Sequence, residues 1–230
     1  MFNTLTKINY IEVEYNNEKR PETNYPAKLA KYIFDKFNLT AGSDFLEVGC
    51  GRSELLREFH KLGLNTYGVD SDIAAKPFAE KSGAKFDLFE ITNNNTELPF
   101  KGKKFDIIFS KSFIEHIEDP ISYFNFSKSI LKINGKFINL TPDWESNYKI
   151  FYDDVTHIKP FSTISLMQSL ELANFKEIKV FRFRQLPITW NSNLFKMISV
   201  ISGLFAHHRV KNKWFRWSRE LMIASVGINK

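Results

Sequence analysis

The stretch Phe45–Leu56, FLEVGCGRSELL, decides how this chain is read. An apolar run carries Glu47 and ends at Val48, two glycines follow one residue apart at Gly49 and Gly51, and a helical pattern opens at Ser53. Glycine at a strand-to-helix turn permits positive φ and lets a ligand approach the backbone closely. The neighbouring charges say which ligand. A dinucleotide fingerprint asks for a third glycine three residues after the second, but Glu54 stands there, and a carboxylate repels a pyrophosphate. Glu47 adds negative charge at the strand end, which suits a cationic ligand better than a phosphate. Taken alone, the turn is also compatible with a glycine turn that holds nothing.

Outward from the turn, strand and helix patterns alternate. YPAKLAKYIFDKF (25–37) reads as an amphipathic helix, DFLEVGC (44–50) as a buried strand, SELLREFHKLG (53–63) as a helix and NTYGVD (65–70) as a second strand. IAAKPFAEKSG (73–83) predicts a helix broken or kinked by Pro77, followed by strands over AKFDLFEI (84–91) and KFDIIFS (104–110). A helix over PISYFNFSKSILKING (120–135) leads to a fifth strand, KFINLTP (136–142). STISLMQSLELANF (162–175) adds a helix, and FKEIKVFRF (175–183) and ELMIASVGI (220–228) add two strands. The fold class expected is α/β: a doubly wound, mostly parallel seven-stranded sheet with helices on both faces and a helical insertion before the last strand. One domain is expected over 1–230, with a core of about 25–183 and 218–230, an N-terminal extension over 1–24 and the insertion over about 184–217.

Composition narrows the function classes. With 230 residues, 43% of them hydrophobic and 25% charged, the chain can bury one sizeable core. No apolar run reaches the roughly 18 residues of a spanning helix, and the polar N-terminal stretch lacks a signal peptide's apolar centre, so a cytoplasmic location is expected. Cys50, the one cysteine, allows no internal disulfide or cysteine-rich zinc cluster. The net charge of +6 is spread along the chain and thickens only at HHRVKNKWFRWSR (207–219), so it makes a poor case for nucleic acid. With no His-x-x-x-His pair and no clustered acidic triplet, no metal is expected.

Further spacing points to a nucleoside. Asp70 closes the second strand about 20 residues after the glycines, where a carboxylate accepts both hydroxyls of a ribose. Glu90 falls at the tip of the third predicted strand, where its carboxylate or the Ile91 N–H would meet an adenine edge. Asp87 is the competitor, on the other face and farther from the tip.

Together LEVGCGRSE (46–54), YGVDSD (67–72), LPFKGKKFDIIFSKSFIEHIEDP (98–120) and LKINGKFINLTPDW (131–144) resemble the class I S-adenosylmethionine-dependent methyltransferases, over about Tyr25–Trp144. The resemblance implies S-adenosylmethionine as cofactor. Glu47, Gly49, Cys50 and Gly51 would surround its methionine end, Asp70 with Ser71 would hold the ribose, and Glu90 and Ile91 the adenine. Ser110 would lie beneath the cofactor after the fourth strand. Ser53 departs from the family where many members have a third glycine, and Glu90 where many have aspartate. A sulfonium is already an activated methyl donor, so the chemistry needs chiefly alignment and exclusion of water.

The acceptor side is less determined. His116, in FIEHIEDP, follows the fourth strand, with Glu115 expected to orient a loop or cap a helix. His157, in DDVTHIKPFS, is the first candidate for a general base, because relatives with a similar Asp-x-x-His-x-x-x-Phe-Ser segment place it beside the acceptor. Asp153 or Asp154 would hold its other nitrogen, and His116 is the alternative base. SKSF in place of an Asn-Pro-Pro-aromatic signature argues against DNA base methylation. The expected partner is a small-molecule or glycan/lipid-type acceptor methylated at oxygen. The rivals are an NAD(P)-dependent oxidoreductase and a non-catalytic S-adenosylmethionine-binding accessory protein. In the insertion, Leu194, Met197, Ile198, Ile201, Leu204 and Phe205 recur at helical spacing, followed by basic residues. Packing over the core is expected first, then a substrate lid, then a peripheral membrane contact through 194–217. Oligomeric state is not legible.

Overall fold

The computed structural model describes residues 21–91 and 99–230, so the extension expected over 1–24 lies outside the described residues as far as residue 20. Seven strands form one mixed sheet in the order β3-β2-β1-β4-β5-β7-β6. The chain divides into two compact units, one running to Ile91 and including the segment up to Lys103, the other holding Lys104–Lys230.

In the first unit, α1 (Tyr25–Lys36), β1 (Asp44–Val48), α2 (Glu54–Lys61), β2 (Asn65–Asp70), α3 (Lys76–Lys81) and β3 (Lys85–Leu88) follow one another. β1 pairs parallel with β2, and β2 with β3. The α1 stripe Pro26, Leu29, Ala30 and Ile33 is buried, as its helical spacing requires. Phe45 of β1 meets Phe59 of α2 at 4.4 Å between ring centroids, and both are fully buried. Each such side chain contributes about 1.5–3 kcal/mol. Pro77 marks a division of the pattern over 73–83, as expected: a 3₁₀ turn, Ile73–Ala75, gives way to α3 just ahead of it. It stands in the first turn of α3, where the N–H it lacks has no intrahelical partner anyway.

In the second unit, β4 (Phe105–Lys111), α4 (Pro120–Ile130), β5 (Leu131–Pro142), α5 (Trp144–Asn147), α6 (Thr163–Leu172) and β6 (Lys176–Phe183) come first. The insertion's α7 (Asn193–Phe205) and α8 (Lys213–Arg219) then precede β7 (Met222–Ile228). β4 and β5 are parallel, and β7 runs antiparallel between β5 and β6. Phe124 and Phe137 lie edge-on at 5.5 Å, and Phe137 stacks on Phe175 at 5.0 Å, centring the core on β5. α4 is shorter than its pattern suggests. Ile133 keeps helical spacing from Ile130 but is 80% exposed, and the chain enters β5 at Leu131 through an irregular pairing in which Asn134 takes φ 63°.

The insertion is helical, as expected, but its packing is not. The seam between α7 and α8 is made of small residues: the Ser199 hydroxyl donates to that of Ser218 (2.9 Å), and the Trp214 indole N–H donates to Ser202 (3.0 Å). A Cβ on Gly203 would stand 2.6 Å from the Ser218 carbonyl oxygen. The expectation that the apolar stripe packs over the core is therefore corrected. Close approach needs small side chains, so Ser199 is buried while Leu204 and Phe205 are 78% and 82% exposed, and Leu194, Met197, Ile198 and Ile201 are exposed with them. Among the described residues no helix is long and apolar enough to cross a membrane.

Candidate active site

The glycine turn after β1 is built as its sequence implies. Gly49 (φ 70°), Gly51 (φ 44°) and Ser53 (φ 55°) all adopt left-handed angles. The N–H groups of Gly49 and Cys50 donate to the Val69 carbonyl (2.9 and 3.1 Å), which ties the turn to the neighbouring strand. Asp70 braces the same turn: one carboxylate oxygen accepts from the Gly51 N–H (2.9 Å), the other from the Asp72 N–H (3.0 Å). Burial raises its carboxyl above the usual range, opposed by these two N–H groups. Glu47 is buried at the end of β1, and Ser71 is exposed beside Asp70. Glu54, where a dinucleotide turn has glycine, pairs with Arg52 at 2.5 Å. Two carboxylates thus border a turn whose helix start is already occupied by an ion pair, an arrangement that favours a cation over a phosphate.

Cys50 is 6% exposed, and burial together with the charges of Glu47 and Asp70 pushes its thiol pKa far up, which removes it from the nucleophiles. Its side chain fills space against β2 instead. A Cβ on Gly68 would stand 2.9 Å from the Cys50 sulfur and 2.7 Å from Leu56 Cδ1, a constraint that YGVD does not announce. Native protein is expected to resist iodoacetamide and urea-unfolded protein to accept it; rapid mass gain by the folded chain would mean an exposed thiol.

Glu90 and Ile91 lie past the end of β3, which closes at Leu88 rather than at the predicted tip. Glu90 is exposed. Asp87, its competitor, accepts the Phe100 N–H at 2.7 Å and so anchors the segment after residue 98. Ser110 lies within β4, which continues to Lys111, and not after it. It is buried, and its hydroxyl donates to Asn139 Oδ1 at 2.5 Å across the β4–β5 pairing.

The second unit brings His157 back to two adjacent residues much earlier in the chain, Glu115 and His116. Glu115 and His116 share a short 3₁₀ helix, Ile114–His116. The Glu115 carbonyl accepts the N–H groups of Ile158 and Lys159 (both 2.9 Å), so Glu115 orients a loop, as expected. That loop carries His157. Each imidazole Nδ1 meets a backbone carbonyl: His116 that of Thr156 (3.0 Å), His157 that of Phe151 (2.7 Å). A carbonyl only accepts, so each Nδ1 donates, and in a neutral ring the lone pair falls on Nε2. The rings stand 4.9 Å apart, and burial keeps His116 below its usual pKa. Asp154 comes within 3.9 Å of His157 Nε2, while Asp153 is taken by Arg209 at 2.7 Å, so neither aspartate holds the second nitrogen in the way the sequence suggested. Glu115 is fully buried; Thr141 donates to its Oε2 (2.9 Å), Oε1 has no hydrogen-bond partner, and burial pushes the carboxyl up to about 7. Sequence reasoning kept the two histidines and gave Glu115 only the loop, because 41 residues of chain separate His157 from His116 and no periodicity links them.

The model of the methyltransferase domain family matches residues 17–180. The chain belongs to that family. Among curated relatives, a ubiquinone biosynthesis O-methyltransferase of Actinobacillus pleuropneumoniae serotype 7 is 34% identical over 112 residues, 45% of this chain and 47% of the relative. The chain thus spans about half the length of that relative. Among solved structures, a phosphoethanolamine N-methyltransferase of Haemonchus contortus, in complex with phosphomonomethylethanolamine and S-adenosylhomocysteine, covers 95% of this chain and 58% of its own at a TM-score of 0.63 and 14% identity. An S-adenosylmethionine-dependent methyltransferase of Archaeoglobus fulgidus covers 92% and 97% at 0.60 and 20% identity. At such identities the likeness is one of fold: the sheet is that of the class I S-adenosylmethionine-dependent methyltransferases.

Proposed function

We propose that this chain transfers the methyl group of S-adenosylmethionine to an oxygen of a small-molecule or glycan/lipid-type acceptor. The observation that carries the cofactor is the turn around Gly49–Gly51, flanked by Glu47 and held by the Asp70 carboxylate through the Gly51 N–H. Glu47, Gly49, Cys50 and Gly51 receive the methionine end, Asp70 and Ser71 the ribose, and Glu90 and Ile91 the adenine. The ion pair at Glu54 speaks against the phosphates of a dinucleotide, and so against the oxidoreductase. Attack at oxygen is supported by the likeness to O-methyltransferases of ubiquinone biosynthesis and by the lone pair that His157 Nε2 carries in the neutral ring, which can take a hydroxyl proton, with His116 as alternative.

The test is incubation with methyl-labelled S-adenosylmethionine and fractionated cell extract, followed by mass identification of the labelled product. Tighter binding of NAD than of S-adenosylmethionine would favour the oxidoreductase. Cofactor binding with no transfer to any fraction would favour the accessory protein.

The exposed face of α7 supports a peripheral membrane contact. Residues 193–213 contain no acidic side chain, and Lys196, Lys211 and Lys213 are exposed on the same insertion. A helix of 13 residues, about 20 Å long, suits lying in an interface plane against anionic lipid. Replacing Leu204 and Phe205 by serine is expected to leave the melting temperature within a few degrees and to reduce co-sedimentation with anionic vesicles. A large drop in melting temperature would mean that the face is packed.

A further inference from the structure

We infer that Glu115, His116 and His157 form a binding site for one first-row divalent transition-metal cation. A donor atom from each lies within 4.8 Å of the other two. Ligands about 2.0–2.1 Å from a shared ion stand roughly 3–3.5 Å apart, so donors at the full 4.8 Å would each move roughly 1 Å towards the ion, closing their separations by about 1.3–1.8 Å.

Three features separate this cluster from a chance meeting. Both imidazoles give their Nδ1 proton to a backbone carbonyl, the second contact by which metal-binding histidines are usually fixed, and this leaves Nε2 as the donor on each ring. The Phe151 ring, 4.6 Å from that of His157, sets its tilt. Glu115 is completely buried, yet its Oε1 has no partner while Thr141 holds Oε2. A buried carboxylate oxygen left in this way is costly and calls for a ligand. The backbone also fixes the register of the donors, since the Glu115 carbonyl accepts the N–H groups of the two residues after His157.

Two imidazole nitrogens and one carboxylate oxygen suit zinc, manganese or ferrous iron, and suit magnesium or calcium poorly. Three protein donors leave the remaining positions to water and an oxygen of the acceptor. The cation's binding stands on this geometry alone; its part in catalysis rests on the methyl-transfer reading. On that reading the cation holds the acceptor hydroxyl and lowers its pKa, the hydroxyl proton passes to solvent, and the histidines serve as neutral ligands rather than as the base.

The test is calorimetric titration of untagged, metal-stripped protein with zinc and, separately, with magnesium. One zinc per chain and no magnesium are expected. Glu115→Gln and His157→Ala should each weaken zinc binding by more than about tenfold. A His207→Ala/His208→Ala variant, which removes the exposed His207 and the half-buried His208 as an adventitious site, should bind zinc as the unaltered protein does. If Glu115→Gln does not fold, His116→Ala takes its place beside His157→Ala, with circular dichroism confirming the fold of each. Absence of zinc binding, or binding that survives in His157→Ala and disappears in the His207/His208 variant, overturns the proposal. The labelled-methyl assay keeps the two readings apart: transfer without zinc binding removes the cation alone, while zinc binding without transfer removes only the methyl-transfer reading.

Discussion

His157→Ala is expected to lower turnover by about 10²–10⁴-fold while S-adenosylmethionine affinity stays unchanged, the usual cost of losing a general base. His157 sits in the second unit, and its Nδ1 is held by the Phe151 carbonyl, so the variant loses the Nε2 lone pair and one loop contact. The loop keeps its bonds to the Glu115 carbonyl, which is why the fold is expected to persist. The measurement is turnover at saturating cofactor with the identified acceptor, paired with calorimetry on the cofactor. A variant retaining more than about a third of the original turnover would make His157 a structural residue and move the role to His116. If the cation site holds, the loss appears with zinc binding and turnover falling together.

The second large effect is at the cofactor. Asp70→Ala is expected to weaken S-adenosylmethionine binding by about 1.5–3 kcal/mol, the range for hydrogen bonds to a charged group, or roughly tenfold to more than a hundredfold. Two losses add in this variant: the acceptor proposed for the ribose hydroxyls, and the brace between the Gly51 and Asp72 N–H groups. A melting curve reads the second and calorimetry the first. Unchanged affinity in a folded variant would take Asp70 out of the site and most of the nucleoside argument with it. Gly49→Val should be harsher still, because a β-branched residue resists a φ of 70°.

Where local pattern and tertiary demand agreed, the sequence was enough. NTYGVD is β2 residue for residue, and the glycine turn carries the left-handed angles that two glycines were read to permit. Elsewhere a local signal had two physical meanings. Pro77 signals a break inside a helix and comfort in its first turn, and periodicity alone cannot tell the two apart. Ile133 continued a helical spacing into a segment that the pairing of β5 claims. The α7 stripe was legible as an apolar face, but its exposure was not, because the face that packs is the small one, Ser199, Ser202 and Gly203. Among the candidate residues, Asp70 is marked in the sequence by its strand end and His116 and His157 by their motifs, and the structure has Asp70 bracing its turn and the two imidazoles side by side. The nearness of the Glu115 side chain to both imidazoles was not legible, since only the folded loop brings residue 157 back to residue 116.

The contact between Cys50 and Gly68 has a consequence for which sequences this fold tolerates. The turn is backed by volume: β2 yields one hydrogen atom's worth of space at position 68, and the Cys50 sulfur and a Leu56 methyl use all of it. A side chain added at position 68 therefore acts directly on position 50, 18 places earlier in the chain. Alanine or serine at 50 fits the space, whereas any side chain at 68 would lift the turn and the start of α2 off the strand together. A cysteine that looks like chemistry is, in this fold, a matter of size, and a glycine in mid-strand that looks incidental sets how near to β2 the turn can rest.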